Sequence, residues 1–183
     1  MHKKIPTFSE SEHYHEYLES LRNIKKDNPD QVLKMSDTER RTQILMHGQD
    51  RNRHGKMFGG YLMREAFDIA YITAALINPS GVAELLRVDQ VLFLKPVPVG
   101  SVMDLRSKVT LIEEIEGIGK VMRVVVKGYN EFGLQTNNFN FLFVVKDPSF
   151  KRYIQPETFN EILEYHEAKR RLQYERISIT PSE

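Results

Sequence analysis

The chain contains no cysteine, which excludes disulfides, a thiolate zinc site and a cysteine nucleophile. An excess of one charge is missing too. Lys plus Arg number 26 and Asp plus Glu 25, a formal charge of +1, so no large electrostatic term is available to hold nucleic acid or an anionic membrane. No apolar run approaches the roughly 18–20 residues of a membrane span. The start, Met1-His2-Lys3-Lys4, is basic but no apolar stretch follows, and Glu10 and Glu12 come early, so it reads as neither a secretory signal nor a transit peptide. An intracellular protein is the expectation, unless the chain is an excised piece of a longer one. A Gly-x-Ser-x-Gly elbow is absent, which removes an α/β-hydrolase route to ester cleavage. Internal repeats and low-complexity tracts are absent as well.

What remains is enough to build a core. Hydrophobic residues make up 40% of the 183, with 10 Phe and 8 Tyr, and the length fits one domain with extensions. Three regions differ in composition. Residues 1–39 are highly charged. Ser9 with Glu12 makes a possible capping box, and Tyr14, Tyr17, Leu18, Leu21 and Ile24 form a narrow apolar stripe at helical spacing, ended by Asn28-Pro29-Asp30. This stretch reads as a helical extension or an inter-domain linker. In 148–183, Thr158 with Glu161 offers a second box, and Phe159, Ile162, Leu163 and His166 mark one face of a helix to about Tyr174.

The region 40–147 holds the core. A short strand is predicted at Thr42–His47, then a polar, basic loop, Gly48–Met57. Phe58–Ile77 is predicted to be a helix, apolar nearly all round and so buried, stopped by Pro79, Ser80 and Gly81. Its charges, Arg64, Glu65 and Asp68, share one stripe. Four β-rich stretches follow: Glu84–Lys95, Val102–Ile115, Lys120–Asn130 and Gln135–Lys146. Turn signals at Gly117-Ile118-Gly119 and Glu131-Phe132-Gly133 make consecutive strands antiparallel neighbours in a meander-like run. No βαβ alternation appears, so the expected fold is α+β, one curved antiparallel sheet wrapped around a long helix, with helical extensions at both ends.

The informative stretch is Asn52-Arg53-His54-Gly55-Lys56-Met57-Phe58-Gly59-Gly60-Tyr61. Two glycines at a helix start leave backbone N–H groups bare at its positive end, suited to an oxyanion or a polarised carbonyl; they also suit close packing of the helix against a strand. Asp68 lies two turns into the apolar helix, as a general base or as a partner of Arg64. His13, His15 and Glu16 fit a solvated helix face better than a metal site, and no metal is expected. Asp50 with His54 suggests an acid–base pair but lies in a basic loop. Lys25-Lys26, Arg40-Arg41 and Lys169-Arg170-Arg171 read as solvated faces.

Asn52–Met63, Arg64–Ala74 and the run Val88-Asp89-Gln90-Val91-Leu92-Phe93-Leu94-Lys95-Pro96-Val97-Pro98-Val99-Gly100 together resemble the acyl-CoA thioesterases of the hotdog fold. The likeness spans about 40–146 and is nearest to the second domain of the mitochondrial-type enzymes built of two hotdogs in tandem. The resemblance implies hydrolysis of a fatty acyl-CoA to free acid and CoA, with no cofactor beyond the coenzyme A of the substrate. It implies sites at a pairing of hotdogs, hence a homo-oligomer (a dimer or trimer of dimers) or a partner hotdog domain if the chain is a fragment, in the mitochondrial matrix or cytoplasm. By carry-over, Asn52 orients water or substrate. Asp68 from the facing protomer is general base or nucleophile, with Glu65 the fallback, and the Gly60 and Tyr61 N–H groups hold the thioester oxygen. Gly59, Arg53, Lys56, Arg64 and Lys95 would meet substrate or the CoA phosphates. Many relatives carry the acid one position earlier, where this chain has Phe67, about 100° away around a helix. Two other readings stand beside this one: a non-catalytic or half-site acyl-CoA-binding module, and a hydratase using His54.

Overall fold

The computed structural model describes residues 4–78 and 80–179. Met1–Lys3 and the expected helix stop at Pro79 lie outside them. In chain order the elements are α1 (Phe8–Asp27), β1 (Val32–Lys34), β2 (Arg40–Leu45), α2 (Gly59–Ile77), β3 (Glu84–Phe93), β4 (Val102–Ile115), β5 (Gly119–Tyr129), β6 (Gln135–Val145), β7 (Tyr153–Gln155) and α3 (Phe159–Ile179). The last helix runs five residues beyond the expected Tyr174.

Five strands form one antiparallel sheet in the order β2-β4-β5-β6-β3. The expected meander therefore holds only from β4 to β6. Consecutive β3 and β4 are not neighbours, because the connection between them contains Pro96 and Pro98, which cannot close a tight hairpin. It crosses beneath the start of α2 instead. There the Met57 N–H donates to the Val97 carbonyl at 2.9 Å and the Met46 N–H to the Ser101 carbonyl at 2.9 Å. The glycine turns form as expected, with Gly117 at φ 78° and Gly133 at φ 74°. β1 and β7 make a separate parallel pair.

α2 lies on one face of the sheet through Leu62, Ala66, Ile69, Ala70, Ala74 and Ile77. The three alanines let the helix backbone come close to the strands. Thr73 is the polar exception, its hydroxyl 2.8 Å from the Ser107 hydroxyl of β4. The expectation of a helix buried nearly all round is corrected here. Met63, Tyr71, Ile72 and Leu76 are 38–64% exposed, because the sheet covers only one side of α2.

The opposite face of the sheet carries α3. Ser107 meets Thr73 of α2, whereas its neighbour Lys108 reaches Glu164 of α3 at 2.7 Å, as strand alternation requires. α3 buries Leu163, Tyr165, Ala168 and Leu172, but Phe159 at its start is 66% exposed and does not join that face. The Thr158–Glu161 box forms, with reciprocal bonds of 3.3 and 3.1 Å. At the other end the box sits two residues earlier than expected, on Thr7 and Glu10 rather than Ser9 and Glu12. Tertiary contact explains the choice, since Glu10 also receives Arg170 of α3 at 2.6 Å. Tyr14 and Tyr17 complete the docking of α1, stacking near Tyr165 and donating to the Pro156 and Ile154 carbonyls.

Two carboxylates on these helices give a pH prediction. Hydrogen bonding from Arg170 holds the Glu10 carboxyl down at about 2. Burial pushes Glu164 up, but Lys127 and Lys108 outweigh it and leave that carboxyl at about 2 as well. Both lie below their ordinary value of 4.5. Their stabilisation is therefore complete above that value and is lost as pH falls toward about 2. Thermal midpoints should drop between these limits, and Glu10→Gln with Glu164→Gln should flatten the acid limb.

Candidate active site

The N-cap of α2 is Phe58, which has no side-chain oxygen to accept from the first turn, and no side-chain cap forms. The first intrahelical bond joins the Leu62 N–H to the Phe58 carbonyl at 3.2 Å. The N–H groups of Gly59, Gly60 and Tyr61 have no hydrogen-bond partner among the described residues, so three donors and the positive end of a 19-residue helix point the same way. The start itself is held firmly, the Phe58 N–H donating to the Asp50 carbonyl at 2.9 Å.

Aromatic rings pack close over both glycines. A Cβ at Gly60 would stand 2.6 Å from the Phe58 ring, and one at Gly59 would stand 3.0 Å from Phe93 of β3. These rings are 59% and 52% exposed, an apolar collar beside bare amides. Close ring packing on the glycine pair and unpartnered amides are thus both present.

The basic loop is folded on Asn52. Its Oδ1 accepts from the His54 N–H at 2.9 Å and the Lys56 N–H at 3.2 Å, and its own N–H donates to the Lys56 carbonyl at 2.7 Å. The side-chain oxygen is thereby occupied, leaving the NH2 group for other partners. Lys56 bridges to Pro98, which puts Lys56 and the Lys95 end of the crossover at the same end of the sheet as the amides. Arg53, Lys56 and Lys95 are exposed. Arg64 sits over the Tyr61 ring, 5.2 Å from its centroid, and pairs with Glu65 at 3.1 Å.

Asp68 is exposed, and no hydrogen bond or ion pair engages it among the described residues. The expected apolar surroundings are not found within one chain, since Asp68 shares the outward stripe of α2 with Tyr71 and Ile72. Eight residues from Gly60, it lies about 12 Å along the helix axis from its own amide end. Phe67, one position earlier on the helix, turns toward the sheet instead. Its ring is 5.8 Å from Phe141 and 6.2 Å from Phe143.

Sequence reasoning missed the placement of Asp50. It is half-buried at the helix start, and its charge acts on Arg64 and Tyr61, whose phenol is pushed up by burial, by Glu65 and by Asp50. Its position in a basic loop disguised it, and only the bond to Phe58 shows that the loop folds back. His54 stays exposed on the loop. No group of three or more candidate metal ligands occurs among the described residues, and no helix there is long and apolar enough to cross a membrane.

A long helix wrapped on one side by a five-stranded antiparallel sheet, its glycine start left open, defines a hotdog-fold protein. No family model matches the chain. It is 31% identical over 142 residues to the mitochondrial acyl-coenzyme A thioesterase 9 of Mus musculus, matching 78% of this chain and 32% of that protein. The chain thus spans about a third of the length of that curated relative. The acyl-CoA hydrolase of Staphylococcus aureus, solved with butyryl coenzyme A, coenzyme A and coenzyme A disulfide, superposes with a TM-score of 0.70 at 26% identity, over 80% of this chain and 89% of that one. An apo-hexameric acyl-CoA thioesterase shares the fold with a TM-score of 0.71 at 22% identity, over 83% and 99%. The chain has the hotdog fold of these enzymes, and its sequence is similar to that of acyl-CoA thioesterases.

Proposed function

We propose that the protein hydrolyses an acyl-CoA thioester to a free fatty acid and CoA at a site shared by two hotdogs. One observation carries this reading: three unpartnered amides at the start of α2, in a chain whose relatives are named for that reaction. The Gly60 and Tyr61 N–H groups hold the thioester oxygen as it gains charge. Water attacks the carbonyl carbon, a carboxylate takes its proton, and collapse of the intermediate releases the CoA sulfur, which receives that proton. Asn52 orients the water through its NH2 group. Arg53, Lys56, Arg64 and Lys95 meet the phosphates, beside Gly59, where the substrate passes close to the backbone.

The carboxylate is Asp68 of the facing hotdog. Its own helix start is out of reach, whereas the surface that carries it is unfinished in one chain. β3 is a sheet edge, and Leu85, Leu86 and Val88 on it are 38–43% exposed, as are Tyr71, Ile72 and Leu76 of α2 to a similar or greater degree. Pairing two hotdogs at this edge covers both. Residues 40–147 form the hotdog unit in this reading, and α1 docks on α3 as an extension rather than a free linker. The partner is a second copy, or another hotdog domain if the chain corresponds to the second half of a tandem protein. The mitochondrial relatives make the mitochondrion the proposed compartment.

The test is hydrolysis of a ladder of acyl-CoA lengths, with a mass measurement in solution. Asp68→Asn should cut turnover by about 100- to 10,000-fold while acyl-CoA still binds. Glu65→Gln should have a much smaller effect, because Arg64 already occupies that carboxylate. Unchanged turnover in Asp68→Asn removes the assignment and moves it to Glu65. The short span relative to its relatives favours a second reading, a half-site that binds CoA without turnover, and a monomer that binds but does not hydrolyse would establish it.

A further inference from the structure

The sheet face turned away from α2 holds a cleft of about 330 Å³ between α3 and strands β3, β5 and β6, a size that suits a small organic ligand. Five cations line it: Lys4, Arg123, Lys127, Arg170 and Arg171. Two lining carboxylates, Glu164 and Glu167, stand against them. Two more act from the margin, with Asp89 2.5 Å from Arg123 and Glu10 2.6 Å from Arg170. Lys108 adds a further cation from the margin, 2.7 Å from Glu164. The side chain of Lys4 makes no ion pair among the described residues.

The cleft is built rather than incidental. Arg123 is 1% exposed and Asn140 5%, and Asn140 is fixed by its 3.0 Å bond to Gln90. Arg171 spreads over Glu167 at 3.3 Å and Asp89 at 3.5 Å, both long for charge-assisted bonds, and its fork keeps donors that a better-placed anion can take. The Oδ1 of Asn138 is sealed from solvent with no hydrogen-bond partner, and a half-turn of that amide presents N–H groups at the same spot. Between these groups the lining is aliphatic, through Leu92, Val125 and Ala168.

We propose that this cleft binds a small amphipathic organic anion, a carboxylate or phosphate monoester with an aliphatic body. The head group meets Lys4 and Arg171, and the chain lies over Leu92 and Val125. The sheet separates it from the amide end of α2, so its occupancy and acyl-CoA turnover are tested independently.

The chain has no tryptophan, which allows a single reporter to be placed. Leu92→Trp puts an indole in the cleft, and Phe132→Trp puts one on an exposed turn as a control. Titration with 8-bromooctanoate should quench the first saturably and the second only by collision. Lys4→Gln with Arg171→Gln should weaken the saturable phase by about tenfold. Octanoate and octyl phosphate, used as competitors, tell which head group is preferred, and displacement by either supports the site. Equal, unsaturable quenching of both reporters, or quenching indifferent to the loss of Lys4 and Arg171, overturns it. Leu94→Trp, also in the lining, gives the same readout if Leu92→Trp misfolds.

Discussion

Valine at Gly60 is expected to lower acyl-CoA turnover by about 100- to 1,000-fold, the size associated with losing one oxyanion donor. In a helix every Cα–Cβ bond tilts toward the N-terminus, so a side chain at Gly60 grows into the space the bare amides face. The first atom already stands 2.6 Å from the Phe58 ring, and the two methyls beyond it must share that space with the ring or with substrate. Stability should change little, because Phe58 is 59% exposed and can swing aside, and because glycine is a poor helix former. Steady-state kinetics beside a thermal melt separate the two effects: kcat falls while the midpoint holds. A variant that melts normally and hydrolyses normally would remove the amide end from the mechanism.

The second large effect falls on stability. Asp89→Ala should destabilise the fold by about 3–5 kcal/mol, the usual consequence of stripping one partner from a buried pair. For a chain of this size that is roughly 6–20 °C in midpoint. Arg123 is 1% exposed on β5, and its guanidinium donates to Asp89 of β3 at 2.5 Å across the intervening β6. Arg171 of α3 approaches the same oxygen at 3.5 Å, so the carboxylate ties the sheet edge to the helix covering it. Replacing both partners with apolar residues, Asp89→Leu with Arg123→Met, should recover much of the loss. A differential scan of the three variants decides the matter, and equal melting of Asp89→Ala and the parent would show that Arg123 finds compensation elsewhere.

Much of the start of α2 could be read before any coordinates. A glycine pair following a polar loop and preceding an apolar run defines a helix start with bare amides, because the backbone groups involved are local. The strand pattern was legible for a similar reason. Alternation along Gln135–Val145 places Phe139, Phe141 and Phe143 on the α2 side and Asn138 and Asn140 on the other. Strand order was not legible, since the crossover through Pro96 and Pro98 excludes a hairpin without saying where the chain goes. Nor was the first capping box, where two overlapping Ser/Thr-x-x-Glu patterns competed and a distant arginine decided between them.

The reach of Asp68 shows the same division. Its distance from Gly60 in sequence is known, but whether that position faces a strand or open space depends on which side of α2 the sheet covers. Composition, periodicity and turn residues thus determined the three helices, the five strands of the large sheet and the glycine start of α2, because each follows from bonds within a few residues, whereas the short β1–β7 pair was not foreseen. The tertiary structure alone decided that β3 lies at the sheet edge, that Phe67 turns inward and Asp68 outward, and that a charged cleft opens behind the sheet. Those outcomes depend on contacts between residues far apart in the chain, and no local preference encodes them.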